Sequence, residues 1–394
     1  MAVPALFEDM YIVDADTHLT EPHDLWTSRA PSSLRDRLPH VIDHDGVPIW
    51  VVDDVQIGKA GGAAVVKADG SKVFGTQFFG LNIEDVHAGA YSVSDRIATM
   101  DKLGIWAQVI YPNTFGLGGQ TFARLPDLAI RLLTVTIFND ALAEMQDTSG
   151  GRLVPMAALP WWDIDEAVAE VQRARGLGLR GINTTTAPHE HGLPDLGTEY
   201  WNPLWEICCD LEMPVNFHIG AAESDIAWFG TVGWPSLGLD QKLAVGSSML
   251  YLNNAACLAN MIFSGVLERF PTLQIVSVES GVGWFPFMMQ ALDHQANELP
   301  PGTLDYMSLA PSGYFKRQIH ACFWFEQSGL DQAIDALGAD HIMFETDYPH
   351  PTCTYPNGLD IAAKALSHIR DPEVHRKLMG GNATRLYRID LPKR

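Results

Sequence analysis

The stretch Tyr11-Ile-Val-Asp-Ala-Asp-Thr-His-Leu-Thr-Glu-Pro22 joins a short apolar run to several ionisable side chains. The apolar half predicts a buried β-strand, and Pro22 ends it because proline lacks the N–H that a strand ladder uses. Asp16 and His18 are two residues apart, so on an extended backbone they point to the same face. An aspartate and a histidine on one face are suitable ligands for a divalent metal. The alternative is that Asp16 caps a turn and His18 lies on the surface.

The composition is typical of a large folded protein. The chain has 394 residues, of which 47% are hydrophobic and 19% are charged. These fractions favour a large buried core and argue against global disorder. The formal net charge of −22 would repel nucleic acid and anionic membrane surfaces. A small anionic substrate stays compatible with this charge, because an arginine or a metal can dominate the field of a pocket.

The cysteine content and the N-terminal residues indicate a cytoplasmic protein. The five cysteines are few for the length, odd in number and without a C-x-x-C pair, so we expect buried thiols in a reducing compartment. Residues 1–10 have no basic n-region, so we expect no signal peptide. No run of about 18 apolar residues occurs, so we expect no transmembrane helix.

Apolar runs typical of buried strands alternate with helical patterns about eight times. Connections long enough for crossover helices predict a parallel sheet, and eight such units predict a (β/α)8 TIM barrel. The alternative, an open doubly wound sheet, favours a glycine-rich first turn, and residues 14–21 contain no glycine. We expect a single domain over residues 1–394. An insertion at about 23–94 would carry a β-hairpin, with turn signals at Asp45-Gly46 and Asp69-Gly70.

The element bounds follow from these patterns. After the first strand, predicted strands lie at residues 107–111, 153–159, 181–184, 214–218, 273–278, 319–325 and 341–346. Predicted helices lie at residues 94–103, 127–145, 163–175, 200–211, 248–270, 282–295, 331–337 and 359–387. We expect Ser94 to cap the first of these helices, residues 220–240 to form a loop, and Gly380-Gly381 to break the last helix.

Ionisable residues mark the carboxyl ends of several predicted strands, which is where function gathers in a barrel. His218 ends the fifth strand, Glu279 follows the sixth and Asp347 follows the eighth. Each has a simpler explanation, namely a hydrogen-bonded core histidine, a helix cap and an Asx turn. Their coincidence with Asp16 and His18 nevertheless indicates a shared metal site.

Four motifs in this order resemble the amidohydrolase-related family. This is the branch of the amidohydrolase superfamily that contains aminocarboxymuconate semialdehyde decarboxylase and γ-resorcylate decarboxylase. The resemblance runs from about residue 11 to residue 387 and is specific for the family, not for a substrate. The motifs are Asp14-Ala-Asp-Thr-His18 followed by Glu21-Pro22, Val215-Asn-Phe-His218, Val278-Glu-Ser-Gly-Val-Gly-Trp284 and Phe344-Glu-Thr-Asp-Tyr-Pro-His350.

The resemblance implies a distorted barrel with one divalent ion, for which we expect zinc ahead of manganese or iron. Asp16 and His18 match the ligand pair of the first strand, although many relatives have His or Glu at the first position. His218 matches the ligand of the fifth strand. Asp347 matches the aspartate of the eighth, which binds or faces the metal and handles protons. The chain departs from the pattern at Glu279, where the named decarboxylases have a histidine that serves in acid–base chemistry.

Two reactions suit such a centre. In hydrolysis, metal-activated water attacks a carbonyl group, Asp347 transfers the proton, and Glu279 orients water or acts as a second base. In non-oxidative decarboxylation, the metal and an arginine hold the acid and Asp347 protonates the carbon that loses CO2. An ionised Glu279 would repel a carboxylate substrate, whereas a buried, protonated one would not. We place hydrolysis narrowly first, and a metal-free binding protein on a degenerate barrel third.

Aromatic residues near the predicted strand ends indicate an aromatic or apolar small-molecule substrate. For substrate contacts we select Trp228, Trp284 and His350, the last because it closely follows Asp347. Family members often form dimers, so the resemblance allows a homodimer. The remaining aromatic residues of this neighbourhood are Trp161, Trp162, Phe229 and Trp234. We expect structural or surface roles for His189, His191 and His320, and a surface ion pair for Arg96.

Overall fold

The computed structural model describes residues 3–113, 115–225 and 234–392. Strands and helices alternate beyond residue 93, as the sequence pattern predicts. Numbered in chain order, the strands are β1 (Val13–Leu19), β2 (His40–His44), β3 (Val47–Val52), β4 (Val55–Lys59), β5 (Ala107–Pro112), β6 (Leu153–Pro155), β7 (Ala157–Ala158), β8 (Ile182–Asn183), β9 (Val215–His218), β10 (Ile275–Val278), β11 (Ile319–Phe323) and β12 (Ile342–Phe344).

Helices follow most of these strands. Asp127 and Asp163 cap two of them by accepting main-chain N–H groups of the first turn, which a helix start otherwise leaves without partners. No helix in the described ranges is long and apolar enough to cross a bilayer. The α-helices are α1 (Val93–Leu103), α2 (Gln120–Ala123), α3 (Leu128–Thr148), α4 (Ile164–Gly176), α5 (Asn202–Asp210), α6 (Leu239–Leu250), α7 (Asn253–Phe263), α8 (Val266–Arg269), α9 (Phe285–Asn297), α10 (Pro311–Gln318), α11 (Leu330–Leu337), α12 (Gly358–Leu366), α13 (Pro372–Arg376) and α14 (Asn382–Leu386).

Two parallel sheets, β1-β5-β6 and β12-β11-β10-β9-β8-β7, join into one ring. Met156 links β6 to β7, and its N–H donates to the carbonyl of Ile110 on β5 at 3.0 Å. At the other junction, the N–H of His18 donates to the carbonyl of Tyr348, beyond β12, at 2.7 Å. With β6 and β7 counted as one interrupted strand, eight parallel strands close into a barrel. The predicted α/β architecture is confirmed.

Alternate residues of the strands fill the inside of the barrel. On β11, Cys322 belongs to the small apolar cluster shared by β1, β5, β6, β10 and β12, whereas Ala321 and Phe323 join the larger cluster that packs against the helices. The inner cluster also contains Tyr387, which is fully buried and reaches it from the segment after α14. Its hydroxyl donates to the Oδ1 atom of Asn216 at 2.6 Å.

The segment between β1 and α1 carries a small antiparallel sheet, β2-β3-β4. β2 and β3 form a hairpin whose turn residues, Asp45 and Gly46, have φ angles of 54° and 81°. Trp50 on β3 contacts Trp26 with ring centroids 5.4 Å apart, and Trp26 stacks on Phe138 of α3. The segment therefore shares its core with the barrel helices. The division of the chain into one domain with an insertion at about 23–94 stays a prediction.

Some predicted helix ends are wrong. α1 begins at Val93 because Ser92, not Ser94, accepts the N–H of Asp95 as its cap. The predicted loop at residues 220–240 ends earlier than expected, because α6 begins at Leu239, and its residues 226–233 lie outside the described ranges. α10 was not predicted, because its sequence Pro-Ser-Gly-Tyr has low helix propensity.

The tail corrects one interpretation of glycine. Lys377–Gly381 forms a π-helical turn that continues from α13 into α14, so Gly380-Gly381 does not break the helix. The interruption instead lies between α12 and α13. A Cβ atom on Gly380 would lie 2.3 Å from the carbonyl oxygen of Tyr11. Glycine is present there because β1 and the tail approach so closely.

Candidate metal centre

The strand ends bring five ionisable side chains together. Asp16 and His18 lie on β1 and His218 ends β9, and all three are fully buried. Glu279 directly follows β10, and Asp347 lies three residues beyond β12; they are 8% and 0% exposed. The structure therefore gathers all five residues that the sequence placed at strand ends.

Glu279 and Asp347 share an unusual backbone conformation. Their φ angles are +54° and +59°, a left-handed region that costs a non-glycine residue on the order of 1–3 kcal/mol and that clusters at functional sites. The N–H of Glu279 donates to the Oε2 atom of Glu345 at 3.2 Å. The N–H of Asp347 donates to the carbonyl of Asp16 at 2.9 Å. These bonds hold both residues in the strained conformation.

The two histidines face each other through their Nε2 atoms, which are 3.2 Å apart. The Nδ1 atom of His18 faces the carbonyl of Pro112 at 2.9 Å, and the Nδ1 atom of His218 faces the carbonyl of Ile219 at 2.7 Å. A carbonyl accepts, so each Nδ1 carries the hydrogen and each Nε2 of a neutral ring presents a lone pair. Two opposed lone pairs at this distance repel unless a cation, a proton or a metal ion, binds between them.

Carboxylates surround this pair of nitrogens. The Oδ1 atom of Asp16 is 3.5 Å from the Nε2 atom of His18 and 3.6 Å from that of His218. The Oδ1 atom of Asp347 is 3.4 Å from His18 Nε2, and the Oε2 atom of Glu279 is 3.3 Å from His218 Nε2. Together with His350, these residues form two overlapping groups whose ligand atoms have metal-binding spacing. Both groups contain His18 and Glu279.

The predicted ligand set is thus divided between the two groups. One holds Asp16 and His218 together with the shared pair, and the other holds Asp347 and His350 with that pair. Both oxygens of Asp16 and the Oδ1 atom of Asp347 are buried without a hydrogen-bond partner. Because a buried carboxylate oxygen without a partner is costly, these orphaned oxygens and the two imidazole nitrogens fit a divalent cation.

The electrostatics also favour a cation. Burial lowers the pKa of His218, but the charge of Asp16 and further contacts outweigh it, so the pKa lies above its usual value. Burial and then the charge of His350 lower the pKa of His18 to about 4. Burial raises the pKa of Glu279 well above its usual range, and Asp347 and Asp16 raise it further. Burial raises the pKa of Asp347, but His350 and His18 outweigh this effect and hold the pKa below its usual value. Without a bound metal, these shifts favour the anionic form of Asp347 and the protonated form of Glu279.

His350 lies against the centre. Its ring stacks on His18, with centroids 3.5 Å apart and planes 13° from parallel. Its Nδ1 atom is 3.3 Å from the Oδ1 atom of Asp347, while its Nε2 atom is buried without a partner. His350 thus contacts two of the candidate ligands. Its contact with a substrate stays a prediction.

Arg96 is the clearest correction to the sequence-based expectations. It is fully buried on α1 and forms no surface ion pair. Its guanidinium donates to the carbonyls of Gly89 and His18 and, at 3.1 Å, to the Oε1 atom of Gln108. The bonds to carbonyl groups explain why the sequence missed this role, since a pattern of side chains carries no signal for a main-chain acceptor.

Two of the tryptophans selected from the sequence, Trp284 and Trp161, make structural hydrogen bonds. The indole N–H of Trp284 donates to the carbonyl of Ser280 at 2.9 Å. Trp161 is buried, and its indole N–H donates to the carbonyl of Gly118 at 2.7 Å. Trp234 is 56% exposed. Trp228 and Phe229 lie outside the described residues, so the proposed contact of Trp228 stays a prediction.

The other histidines singled out from the sequence belong to neither metal-spaced group. His191 packs edge-on against Trp161, with ring centroids 5.2 Å apart, and His189 lies in the same short 3-10 helix after β8. His320, near the start of β11, lines a cavity of about 420 Å³ at the amino ends of the strands. That cavity is bordered by Met213, before β9, and by Arg388 of the tail. It belongs to the opposite end of the barrel from the centre.

Comparisons with known proteins agree with this geometry. Residues 121–389, more than half of the chain, match the family described as Amidohydrolase. A γ-resorcylate decarboxylase from Polaromonas sp. (strain JS666) is 27% identical over 316 residues, which are 75% of this chain and 87% of the relative.

Two solved structures share the fold. An amidohydrolase from Mycobacterium avium subsp. paratuberculosis has a TM-score of 0.74 at 21% identity, covering 96% of this chain and 99% of that protein. A dihydroxybenzoic acid decarboxylase from Polaromonas sp. JS666, solved with bound manganese and the inhibitor 2-nitroresorcinol, has a TM-score of 0.62 at 17% identity. That match covers 97% of this chain and 98% of the other.

The family match includes three of the strand-end residues, His218, Glu279 and Asp347. The barrel, the motifs quoted from the sequence and the family match all lead to one assignment. The chain is an enzyme that belongs to the amidohydrolase family.

Proposed function

We propose that this protein is a metal-dependent, non-oxidative decarboxylase of a small aromatic or unsaturated acid. The observation that carries the proposal is the likeness of 75% of the chain to a γ-resorcylate decarboxylase. Hydrolysis, the reaction expected first from the sequence, has less support, because the curated relatives that match the chain by sequence include γ-resorcylate and aminocarboxymuconate semialdehyde decarboxylases.

The metal would be held by Asp16, His18, His218 and Asp347, with Glu279 and His350 beside them. A divalent ion bound there supplies Lewis acidity, which polarises oxygen atoms of a bound acid. Nitrogen and carboxylate ligands of this kind accept zinc, manganese or iron. Zinc was expected first from the sequence, whereas manganese is the ion bound in the dihydroxybenzoic acid decarboxylase, so both ions belong in the test.

Decarboxylation replaces a carbon–carbon bond with a carbon–hydrogen bond. The substrate R–COO⁻ takes up one proton and yields R–H and CO2, so the site must supply that proton to carbon. Glu279 is suited to this step, because burial and neighbouring carboxylates raise its pKa and so favour the form that carries a proton. Its protonated state also removes the charge that would repel a carboxylate substrate. We therefore assign the proton donation to Glu279 and the ligand role to Asp347.

Thr352 connects these two carboxyl groups. Its hydroxyl lies 2.6 Å from the Oδ2 atom of Asp347 and 3.4 Å from the Oε1 atom of Glu279. It donates to the anionic Asp347, which fixes the orientation of that carboxylate.

The test is product formation by protein loaded with zinc or with manganese. The purified enzyme is incubated with γ-resorcylate, other ortho-hydroxybenzoates and unsaturated dicarboxylates, and CO2 release is measured. Parallel reactions contain amides, esters and lactones. Release of CO2 from an acid, dependent on added metal, supports the proposal. Hydrolysis of a neutral carbonyl substrate without any CO2 release would overturn it in favour of the hydrolase.

A further inference from the structure

The candidate centre is rich in carboxyl groups. Asp16, Glu279, Glu345 and Asp347 are all buried around it. In the described ranges, the ion pairs of these four groups involve histidines only, with no lysine or arginine. Beside the metal and the histidines, any further side-chain donors to a substrate carboxylate in this region would therefore be neutral.

Arg96, Arg29 and Arg37 do not meet the need for a donor to this carboxylate. Arg96 donates to main-chain carbonyls behind β1. Arg29 forms an ion pair with Glu144 of α3. Arg37 forms ion pairs with Asp53, between β3 and β4, and with Asp127, the cap of α3. Residues 226–233, which precede Trp234, contain no lysine or arginine in their sequence. The expectation that an arginine holds the substrate is thus without a candidate at this centre.

Tyr251, which directly follows α6, packs against the residues that follow β11. Its ring centroid lies 5.5 Å from that of Phe325, the second residue after that strand. Burial, and then the charges of Glu279 and Asp347, raise the pKa of the Tyr251 hydroxyl. A phenol that stays protonated beside carboxyl groups is a permanent hydrogen-bond donor.

Trp324 is the neighbour of Tyr251 at the end of β11. The two rings meet edge to face, with centroids 5.8 Å apart and planes at 88°. Trp324 is fully buried, and its indole N–H has no hydrogen-bond partner. Trp324 is the first residue after β11, at the carboxyl end of the strand between β10 and β12. Trp324 also belongs to neither apolar cluster that fills the barrel.

We propose that Tyr251 and Trp324 form an oxyanion subsite that binds the carboxylate of an aromatic acid. The phenol O–H and the indole N–H are two neutral donors, and each can give one hydrogen bond to a carboxylate oxygen. The aromatic ring of the substrate would pack against the same two side chains. This inference rests on the proposed decarboxylase function and specifies its substrate as an acid whose carboxylate lies on the β11 side of the centre.

Neutral donors suit a carboxylate that must leave as CO2. A guanidinium would stabilise the charged ground state strongly, and that stabilisation would be lost as the carboxylate becomes neutral CO2. Two neutral donors orient the group with a smaller stabilisation of its charge. The subsite thus accounts for the lack of an arginine or lysine ion pair at this centre.

The test compares two unreactive ligands of the metal-loaded enzyme by calorimetry. 2-Nitroresorcinol carries a planar nitro group with the shape of a carboxylate but no bond that can release CO2, and resorcinol lacks that group. Tyr251→Phe removes only a hydroxyl, and Trp324→Phe removes the indole N–H. We expect each variant to weaken 2-nitroresorcinol about tenfold, the effect of one hydrogen bond, and to change resorcinol binding less than twofold.

Matched controls come from the same chain. Tyr306 is 47% exposed and its hydroxyl donates to the carbonyl of Phe263. Trp106 has a buried indole N–H without a partner, as Trp324 has, but it precedes β5 at the opposite end of the barrel. Tyr306→Phe and Trp106→Phe should bind both ligands like the unchanged enzyme. Circular dichroism shows whether each variant is folded. If Trp324→Phe is unfolded, the binding of the two ligands to Tyr251→Phe is the test of the subsite.

The outcomes separate this inference from the proposed function. If the enzyme releases CO2 but both variants bind 2-nitroresorcinol normally, the subsite is wrong and the decarboxylase stands. If the variants lose 2-nitroresorcinol affinity but no acid is decarboxylated, the subsite stands and the reaction is wrong. If neither ligand binds and no CO2 appears, both are overturned.

Discussion

The main-chain N–H of Asp347 donates to the main-chain carbonyl of Asp16 at 2.9 Å. These residues are separated by almost the whole chain, and both are candidate metal ligands. The bond that closes the barrel between its first and last strands therefore also sets the spacing of their side chains. Metal binding and barrel closure are coupled, because a ligand-bearing strand that separated from its neighbour would disrupt both.

We predict that His218→Ala abolishes metal binding. The unchanged protein should contain about one zinc or manganese ion per chain after purification without chelator, and the variant should contain less than a tenth of that. The imidazole is one of four protein ligands, so replacing it with water should greatly lower the affinity of the site for the metal. Mass spectrometry measures the metal content. His294→Ala, on the exposed face of α9, should keep its metal; equal metal in both variants would contradict the site.

Glu279→Gln should abolish turnover and leave the metal bound. The amide retains the shape of the side chain but cannot deliver a proton, and general acid catalysis contributes about 10²- to 10⁴-fold. We expect a drop of at least about 100-fold in kcat, with unchanged metal content. Glu298→Gln, beyond α9 on the surface, is the control. A variant with near-normal kcat would reassign the proton donation to another group.

Arg96→Lys should destabilise the protein and weaken the metal site. Lysine has one ammonium group and cannot reproduce the fork that reaches the carbonyls of Gly89 and His18 and the Gln108 side chain at once. We expect a loss of about 2–4 kcal/mol in the free energy of unfolding and a higher dissociation constant for the metal. Denaturant titration and metal titration measure the two effects. Arg376→Lys, in an exposed ion pair, should change neither; an unchanged Arg96→Lys would mean that the buried network is dispensable.

His320 should make stability depend on pH. Burial, and then His341, lower the pKa of His320 to about 3 in the folded protein, against 6.5 for an ordinary histidine. Between these values the unfolded chain binds a proton that the folded chain does not, so stability falls as pH decreases from about 6.5 toward 3. At pH 5 the contribution is a loss of about 2 kcal/mol relative to pH 8.

His320→Gln removes this titration. Denaturant titrations at pH 5 and pH 8 should show a smaller difference for the variant than for the unchanged protein, by roughly that amount. His294→Gln, an exposed histidine, should retain the full difference. A variant with the same pH dependence as the unchanged protein would show that His320 is not the titrating group.

Gly380→Ala should be strongly destabilising. The added Cβ would lie 2.3 Å from the carbonyl oxygen of Tyr11 and 3.3 Å from the nitrogen of Val13, so β1 and the tail would have to separate. We expect a loss of about 1–3 kcal/mol, typical of overpacking. Gly176→Ala, at the end of α4 with no atom within 4 Å of the new Cβ, should be neutral or slightly stabilising. Thermal unfolding of the two variants makes the comparison, and equal midpoints would refute the close contact.

The sequence predicted the parts of this molecule that repeat. Strand and helix periodicity recovered the barrel, and the rule that function lies at strand carboxyl ends selected Asp16, His18, His218, Glu279 and Asp347, which the structure brings together. The rule works because parallel strands end on one side of the barrel, so residues far apart in the chain share a position in space.

The sequence could not predict contacts that depend on main-chain atoms or on single approaches in space. The partners of Arg96 are mostly carbonyls, and the close contact of Gly380 with Tyr11 depends on the packing of the tail. Tyr251 follows a helix, not a strand, so no strand-end rule selects it. Trp324 does follow a strand, but from sequence alone a tryptophan at that position is assigned to the hydrophobic core. Only the structure shows that its buried indole N–H has no hydrogen-bond partner.

The insertion of Tyr387 into the barrel interior bears on how the nascent chain matures on the ribosome. When all eight strands have been synthesised, the barrel still lacks the side chains of Ala383, Tyr387 and Ile389, which complete its inner apolar cluster. Asn216 likewise lacks one of its two phenol donors until that segment emerges. The strands alone therefore form an unfinished intermediate with exposed apolar surface, the kind of species that chaperones bind during translation.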